Sequence, residues 1–99
     1  MGLMGSLWVN LNNSMNKVVM YKKKVCPYCV KAEKYLHANG VVDIEFIDIE
    51  NNPEKREEMI AKANGKFTVP QIFINNIHVG GCDDLHALPI AKLNELLGK

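Results

Sequence analysis

The 99-residue sequence predicts an α/β fold, a four-stranded mixed sheet flanked by helices in the order β-α-β-α-β-β-α. Three observations predict it. A short apolar run, Val18-Val19-Met20-Tyr21, leads into apolar residues at helical spacing and then into a second run, Ile44-Glu45-Phe46-Ile47-Asp48-Ile49. That succession implies two parallel strands joined by a right-handed crossover helix. A second helical stretch opens at Asn52-Pro53. Finally, Gln71–Ile74 and Ile77–Val79 flank Asn75-Asn76, a two-residue loop tolerant of positive φ, which makes an antiparallel hairpin.

Each element has a local cause. The first strand is rich in β-formers and runs out into Lys22-Lys23-Lys24. Pro27 suits the first helical position, where its missing N–H costs no bond. Cys29, Ala32 and Leu36, flanked by Val30 and Tyr35, give the first helix a buried side, and Asn39-Gly40 stops it. The second strand reads as apolar on both faces at its centre, as in a sheet covered by helices on both sides. Asn52 then caps the second helix with Pro53 at its first position and Glu54 at its positive end. Met59, Ile60 and Ala63 form its inward stripe, and Asn64-Gly65 ends it. After Gly80-Gly81, Asp83 or Cys82 caps a last helical stretch. Its apolar phase, Leu85-Leu88 then Leu93-Leu96-Leu97, does not run through Pro89, so two short helices or a kink are expected. This order of elements is the minimal thioredoxin-like arrangement.

Composition narrows the class. With 47% hydrophobic and 23% charged residues the chain is an ordinary globular domain. A net charge of +1 gives no reason to expect nucleic acid or an acidic membrane surface as partner. Three cysteines are too few for a disulfide scaffold, and nothing resembles a secretory signal, which points to a cytoplasmic protein with a transient disulfide. Residues 1–14 carry no charged side chain and no clear period, and are expected to be a disordered extension before a domain spanning 15–99. Gly2 followed by Ser6 matches a loose myristoylation pattern, but a translated upstream stretch with Met15 as working start is the simpler reading.

The chemistry centres on Cys26-Pro27-Tyr28-Cys29. Cys26 falls at a helix N-terminus, where unpaired amides and the macrodipole favour an anion, so its thiol pKa should be depressed. Cys29 lies on the same side of the first turn, within disulfide reach. Between a strand and a helix, such a pair reads as a dithiol redox centre. Thr68-Val69-Pro70 precedes the third strand. If it lies beside Cys26, the Val69 backbone could pair with an extended peptide-like substrate, while Pro70 would keep a competing N–H and any metal ligand from the sulfurs. Gly80-Gly81-Cys82-Asp83-Asp84 opens a helix whose N–H groups suit a carboxylate, with Asp83 able to accept from an ammonium group. A lysine at the other end would complete a site for a small zwitterionic peptide. His37, His78 and His86 form no triad and read as surface residues, and Cys82 as a small buried residue or a backbone donor.

From Met15 to Lys99 the chain resembles the glutaredoxins of the small bacterial dithiol class. The likeness rests on Cys26-Pro27-Tyr28-Cys29, Thr68-Val69-Pro70-Gln71-Ile72-Phe73-Ile74 and Gly80-Gly81-Cys82-Asp83-Asp84-Leu85, in that order and spacing. It implies glutathione as reducing cosubstrate, with disulfide-containing or glutathionylated proteins as partners. Cys26 would be the nucleophile and carrier of the mixed disulfide, and Cys29 the resolving thiol. Lys23 would face the glycine carboxylate of glutathione, and Tyr28 would lie along the sulfur pocket. Thr68, Val69 and Pro70 would bind the cysteinyl part, and Gly81, Cys82 and Asp83 the γ-glutamyl end. At residue 67, where many relatives carry a basic side chain, this chain has Phe67, and Lys66 is the available substitute. A monomer, with no metal, is expected.

Three rival readings follow from the same residues. A glutaredoxin-like thioredoxin served by a reductase needs no γ-glutamyl pocket, which Gly81-Cys82-Asp83-Asp84 argues against. A zinc set of Cys26, Cys29, Cys82 and His78 or His86 lacks a second close-spaced ligand pair. A glutathione-ligated iron–sulfur carrier is similar rather to monothiol or serine-containing motifs than to Cys-Pro-Tyr-Cys.

Overall fold

A computed structural model describes residues 17–99. The expected extension, residues 1–14, and the myristoylation pattern within it lie outside the described residues. The elements are β1 (Val18–Lys22), α1 (Pro27–Ala38), β2 (Ile44–Asp48), α2 (Pro53–Lys62), β3 (Gln71–Ile74), β4 (Ile77–Gly80), α3 (Cys82–Ala87) and α4 (Ile90–Leu96). They form the expected thioredoxin-like fold, with a mixed sheet in the order β2-β1-β3-β4. β1 runs parallel to β2 and antiparallel to β3, and β3 is antiparallel to β4.

Side-chain alternation along the central strands separates two cores. Val18 and Met20 of β1 and Ile72 and Ile74 of β3 join Cys29, Ala32 and Leu36 of α1, Leu85 of α3 and Leu93 of α4. On the opposite face, Tyr21 and Phe73 meet Met59 and Ala63 around α2. Their rings pack edge-on at 5.6 Å between centroids. The Tyr21 hydroxyl donates to Glu58, and burial together with that carboxylate pushes the phenol pKa well up.

Capping follows the sequence closely. Cys26 and Asn52 stand at the N-caps of α1 and α2, each followed by proline, and the Asn52 side chain accepts from the Lys55 N–H at 3.3 Å. Asn75 and Asn76 turn the hairpin at φ 50° and 69°. The last helical stretch divides around Pro89, as its apolar phase requires.

Three expectations are corrected. β2 is not covered on both faces: it is the sheet edge, where Glu45, Phe46 and Asp48 are exposed, and every residue of β3 is buried instead. Neither Asp83 nor Cys82 caps α3. Gly81 is its N-cap, and the Asp84 carboxylate accepts from the Gly81 N–H at 3.0 Å. Val30, expected beside the buried stripe of α1, is half exposed.

The end of α1 is tied down by charge-sensitive contacts. His37 lies 2.7 Å through Nδ1 from the Val41 carbonyl and 3.4 Å through Nε2 from Glu33. Both partners are acceptors, so both bonds need the imidazolium. The Val41 carbonyl first, and then Glu33, hold the His37 pKa above its ordinary value. A raised folded-state pKa contributes stability that is complete below the unfolded value and lost as pH rises through the folded one. His37→Ala should therefore cost more stability at about pH 5.5 than at about pH 8.5. Urea denaturation at the two pH values checks this, and an equal loss at both would count against the imidazolium.

Candidate active site

The site begins with the way α1 is seated. Cys29, Ala32 and Leu36 are drawn into the core, and Cys29 is only 3% exposed. That fixes the helix with Cys26 one turn earlier, partly exposed at its N-cap. The Cys29 N–H lies 3.1 Å from Cys26 Sγ and 3.0 Å from the Cys26 carbonyl. The two cysteines are joined in a disulfide with Cα atoms 5.2 Å apart. On reduction, the same N–H and the helix dipole stand ready to stabilise a thiolate on Cys26. Cys29, closed in by apolar neighbours, has no such help.

A groove of about 390 Å³ opens beside this pair. Tyr28, the residue between the cysteines, lines it, together with Thr68–Gln71 on one side and Gly81–Asp84 on the other. Lys66 supplies a cation and Asp83 an exposed carboxylate. The Val69–Pro70 peptide bond is cis. The two walls approach closely: a Cβ on Gly81 would sit 3.4 Å from the Pro70 carbonyl. At neighbouring Gly80, φ is +117° and a Cβ would run into the Asp84 side chain, so both backbone and space require glycine there.

Of the residues singled out from sequence, Tyr28, Thr68, Val69, Pro70, Gly81, Cys82 and Asp83 line this one groove. Lys23 does not. It lines a separate hollow with Val25, Ile49, Glu50, Asn51 and Arg56, while Lys66 lies in the groove lining. Phe67 is 63% exposed. Cys82 is buried and free, and burial pushes its thiol pKa up, which suits a packing residue rather than a nucleophile. Its Sγ lies 3.6 Å from His86 Nδ1, which is also 2.8 Å from the Cys82 carbonyl. Among the described residues no three His, Cys, Asp or Glu side chains converge as metal ligands would.

Two groups at the site escaped the sequence reading. Gln71 is 1% exposed and yet lines the groove. A single amide interrupting the apolar run from Val69 to Ile74 was the available signal, because a buried polar group must find partners. His78, expected on the surface, is half buried, its ring 5.0 Å from that of Phe73 and its Nε2 2.7 Å from Gln71 Oε1. Burial holds its pKa below the ordinary histidine value.

A cysteine pair at a helix start on a thioredoxin-like sheet defines a thiol–disulfide oxidoreductase. The glutaredoxin family profile matches residues 18–79, and the chain belongs to the glutaredoxin family. It is 51% identical over 84 residues to a glutaredoxin of Pseudomonas aeruginosa, covering 84% of this chain and 98% of that protein. The solution structure of a glutaredoxin from Brucella melitensis superimposes with a TM-score of 0.70 at 46% identity, over 87% of this chain and 95% of the other. A buckwheat glutaredoxin–glutathione complex gives a TM-score of 0.68 at 29% identity, over 90% and 82% of the two chains.

The contrast between the three thiols is directly measurable. In the reduced protein at about pH 5–6, iodoacetamide should label Cys26 first, with Cys29 and Cys82 reacting appreciably only on unfolding. Peptide mapping after timed alkylation reads the order, and equal rates at Cys26 and Cys29 would remove the helix-start account of reactivity.

Proposed function

We propose that this protein reduces glutathione mixed disulfides and protein disulfides with electrons from glutathione, acting in the cytoplasm. The observation that carries the reading is the groove beside the cysteine pair, with an extended stretch on one wall, a helix start on the other, and a cation and a carboxylate in reach. Those are the complements of a small peptide with carboxylate and ammonium ends, and the buckwheat relative was solved as a glutathione complex.

In the reaction so proposed, Cys26 thiolate attacks the glutathione sulfur of a mixed disulfide. The old S–S bond breaks, a new one forms between Cys26 and glutathione, and the substrate sulfur leaves as a thiolate that takes a proton from solvent. A second glutathione thiolate then attacks the Cys26-bound glutathione sulfur, releasing oxidised glutathione and restoring the Cys26 thiolate. With a protein disulfide, Cys26 first forms a mixed disulfide with the substrate. Cys29, once deprotonated, attacks Cys26 Sγ, freeing the second substrate thiol and leaving the Cys26–Cys29 disulfide, which two glutathiones reduce. We assign the cysteinyl backbone of glutathione to Val69 beside Thr68 and Pro70, and its γ-glutamyl carboxylate to the Cys82 N–H next to Gly81. Its ammonium group goes to Asp83, and Tyr28 flanks the sulfurs. The glycine carboxylate goes to Lys66, which lies in the groove, with Lys23 of the separate hollow as the alternative.

Two experiments test this. Cys29→Ser should retain reduction of a small glutathione mixed disulfide in an assay coupled to glutathione reductase, and lose reduction of protein disulfides that need both thiols. Loss of both activities would rule out the single-thiol route. Asp83→Ala and Lys66→Ala should each raise the KM for the mixed disulfide about fivefold, with the increase shrinking at high salt, because exposed charge contacts are weak and screened. Lys23→Ala run beside them decides which lysine meets the carboxylate. For Asp83→Ala, an equal rise with a disulfide lacking a glutathione moiety would make Asp83 a support of the fold instead.

A further inference from the structure

The amide of Gln71 is the buried polar group that the reaction above leaves unused. Its surroundings dictate its orientation. Gln71 Nε2 lies 3.1 Å from the Thr68 carbonyl oxygen and 3.4 Å from Thr68 Oγ1. A carbonyl can only accept, so this end must be the NH2 group. Gln71 Oε1 therefore faces His78 Nε2 at 2.7 Å, and that ring nitrogen must carry the proton. The result is a one-way chain in which His78 donates to Gln71 and Gln71 donates to Thr68.

The fold places this chain with some care. Ile72 pairs with Gly80 and Phe73 with His78, so β4 has one residue more than β3 in this interval. Such a bulge re-aims the side chains beside it, and here His78 lies along Phe73 and reaches the next same-face residue of β3, Gln71. The charged groups that act on His78 are Asp84, from α3, and Lys66, from the α2–β3 connection; both are groove residues. None of these bonds reaches the sulfurs. The chain ends on Thr68, the residue before Val69.

We propose that Gln71 and His78 are a positioning pair, which holds the Thr68 carbonyl and so fixes the Val69 backbone at the angle an extended substrate needs. This rests on the reading of the groove as the substrate site. It assigns substrate-positioning roles to two side chains that make no contact with the reacting atoms. A buried amide with both ends satisfied costs little to keep, whereas removing either partner leaves it with an unmet hydrogen bond in a buried place.

The test uses His78→Phe, which keeps a ring against Phe73 but has no donor, and Gln71→Leu, which removes the amide. His78→Gln offers an N–H near the position of Nε2. Two substrates are compared: a glutathione mixed disulfide and an extended peptide disulfide without a γ-glutamyl group. His78→Phe and Gln71→Leu should each raise KM about three- to tenfold on both substrates, with kcat within about twofold and the Cys26 alkylation rate unchanged. His78→Gln should recover most of the loss, and the double variant should be no worse than Gln71→Leu. An unchanged KM in either folded variant, even with a lowered melting temperature, would overturn the proposal, as would a loss confined to kcat or losses that add in the double variant. Failure of the glutathione reading looks different. The unsubstituted protein would then not saturate with the mixed disulfide, while the peptide disulfide would still report the effect of His78→Phe.

Discussion

The chemistry of this protein depends on how deeply one cysteine of its pair is buried. Cys29 belongs to the same apolar cluster as Ala32, Leu36, Leu85 and Leu93, and so it helps seat α1 against the sheet. Once that stripe is in the core, the helix cannot rotate or slide without opening it. Cys26 is thereby held at the N-cap, at the rim, with its sulfur against the Cys29 N–H. The two thiols are chemically identical in the sequence and unlike in the fold. One is buried within the core, the other is partly exposed at the helix start and packs only against the margin of that core.

The groove is assembled from pieces that come together at one end of the sheet. The lead into β3 brings the Thr68–Gln71 stretch, the passage from β4 into α3 delivers Gly81 to Asp84, and α1 supplies Tyr28. The approach of Pro70 and Gly81 brings the two walls together, with a Cβ on Gly81 falling 3.4 Å from the Pro70 carbonyl. Asp84 is spent on the Gly81 N–H, which leaves Asp83, one residue earlier, free to face the groove. Both neighbouring carboxylates thus line the groove, but one is committed to the helix start and the other is not.

What could be read from the sequence was what is decided locally. Pro27 and Pro53 after their caps, the Asn75-Asn76 turn, the break at Pro89 and the cysteine spacing each have a cause within a few residues. Strand order is not local, and so Ile44–Ile49, a convincing apolar run, reads as a covered strand although it lies at a sheet edge. Whether Cys82 or Asp83, or as observed Gly81, caps α3 turns on a residue or two of phase, which apolar periodicity does not fix. Lys23, expected to face the glycine carboxylate, and Lys66, the substitute for a basic side chain at 67, are both available in the sequence, and only the folding of the chain puts them on different hollows. Gln71 and His78 were legible as strand residues but not as a pair, because their meeting depends on the bulge in β4.

The exposed edge of the sheet has a consequence for how copies of this chain behave in concentrated solution. An edge strand offers unpaired backbone groups, and a long flat apolar one invites another chain to extend the sheet. β2 is five residues long and carries Glu45 and Asp48 on its exposed positions, with Lys17 3.2 Å from Glu45. Its large exposed side chain, Phe46, lies beneath the Lys22 ammonium at 5.1 Å, a cation that a second strand would have to desolvate. The strand thus carries charge at the positions where stacking or strand addition would begin, and this edge of the sheet is guarded against it.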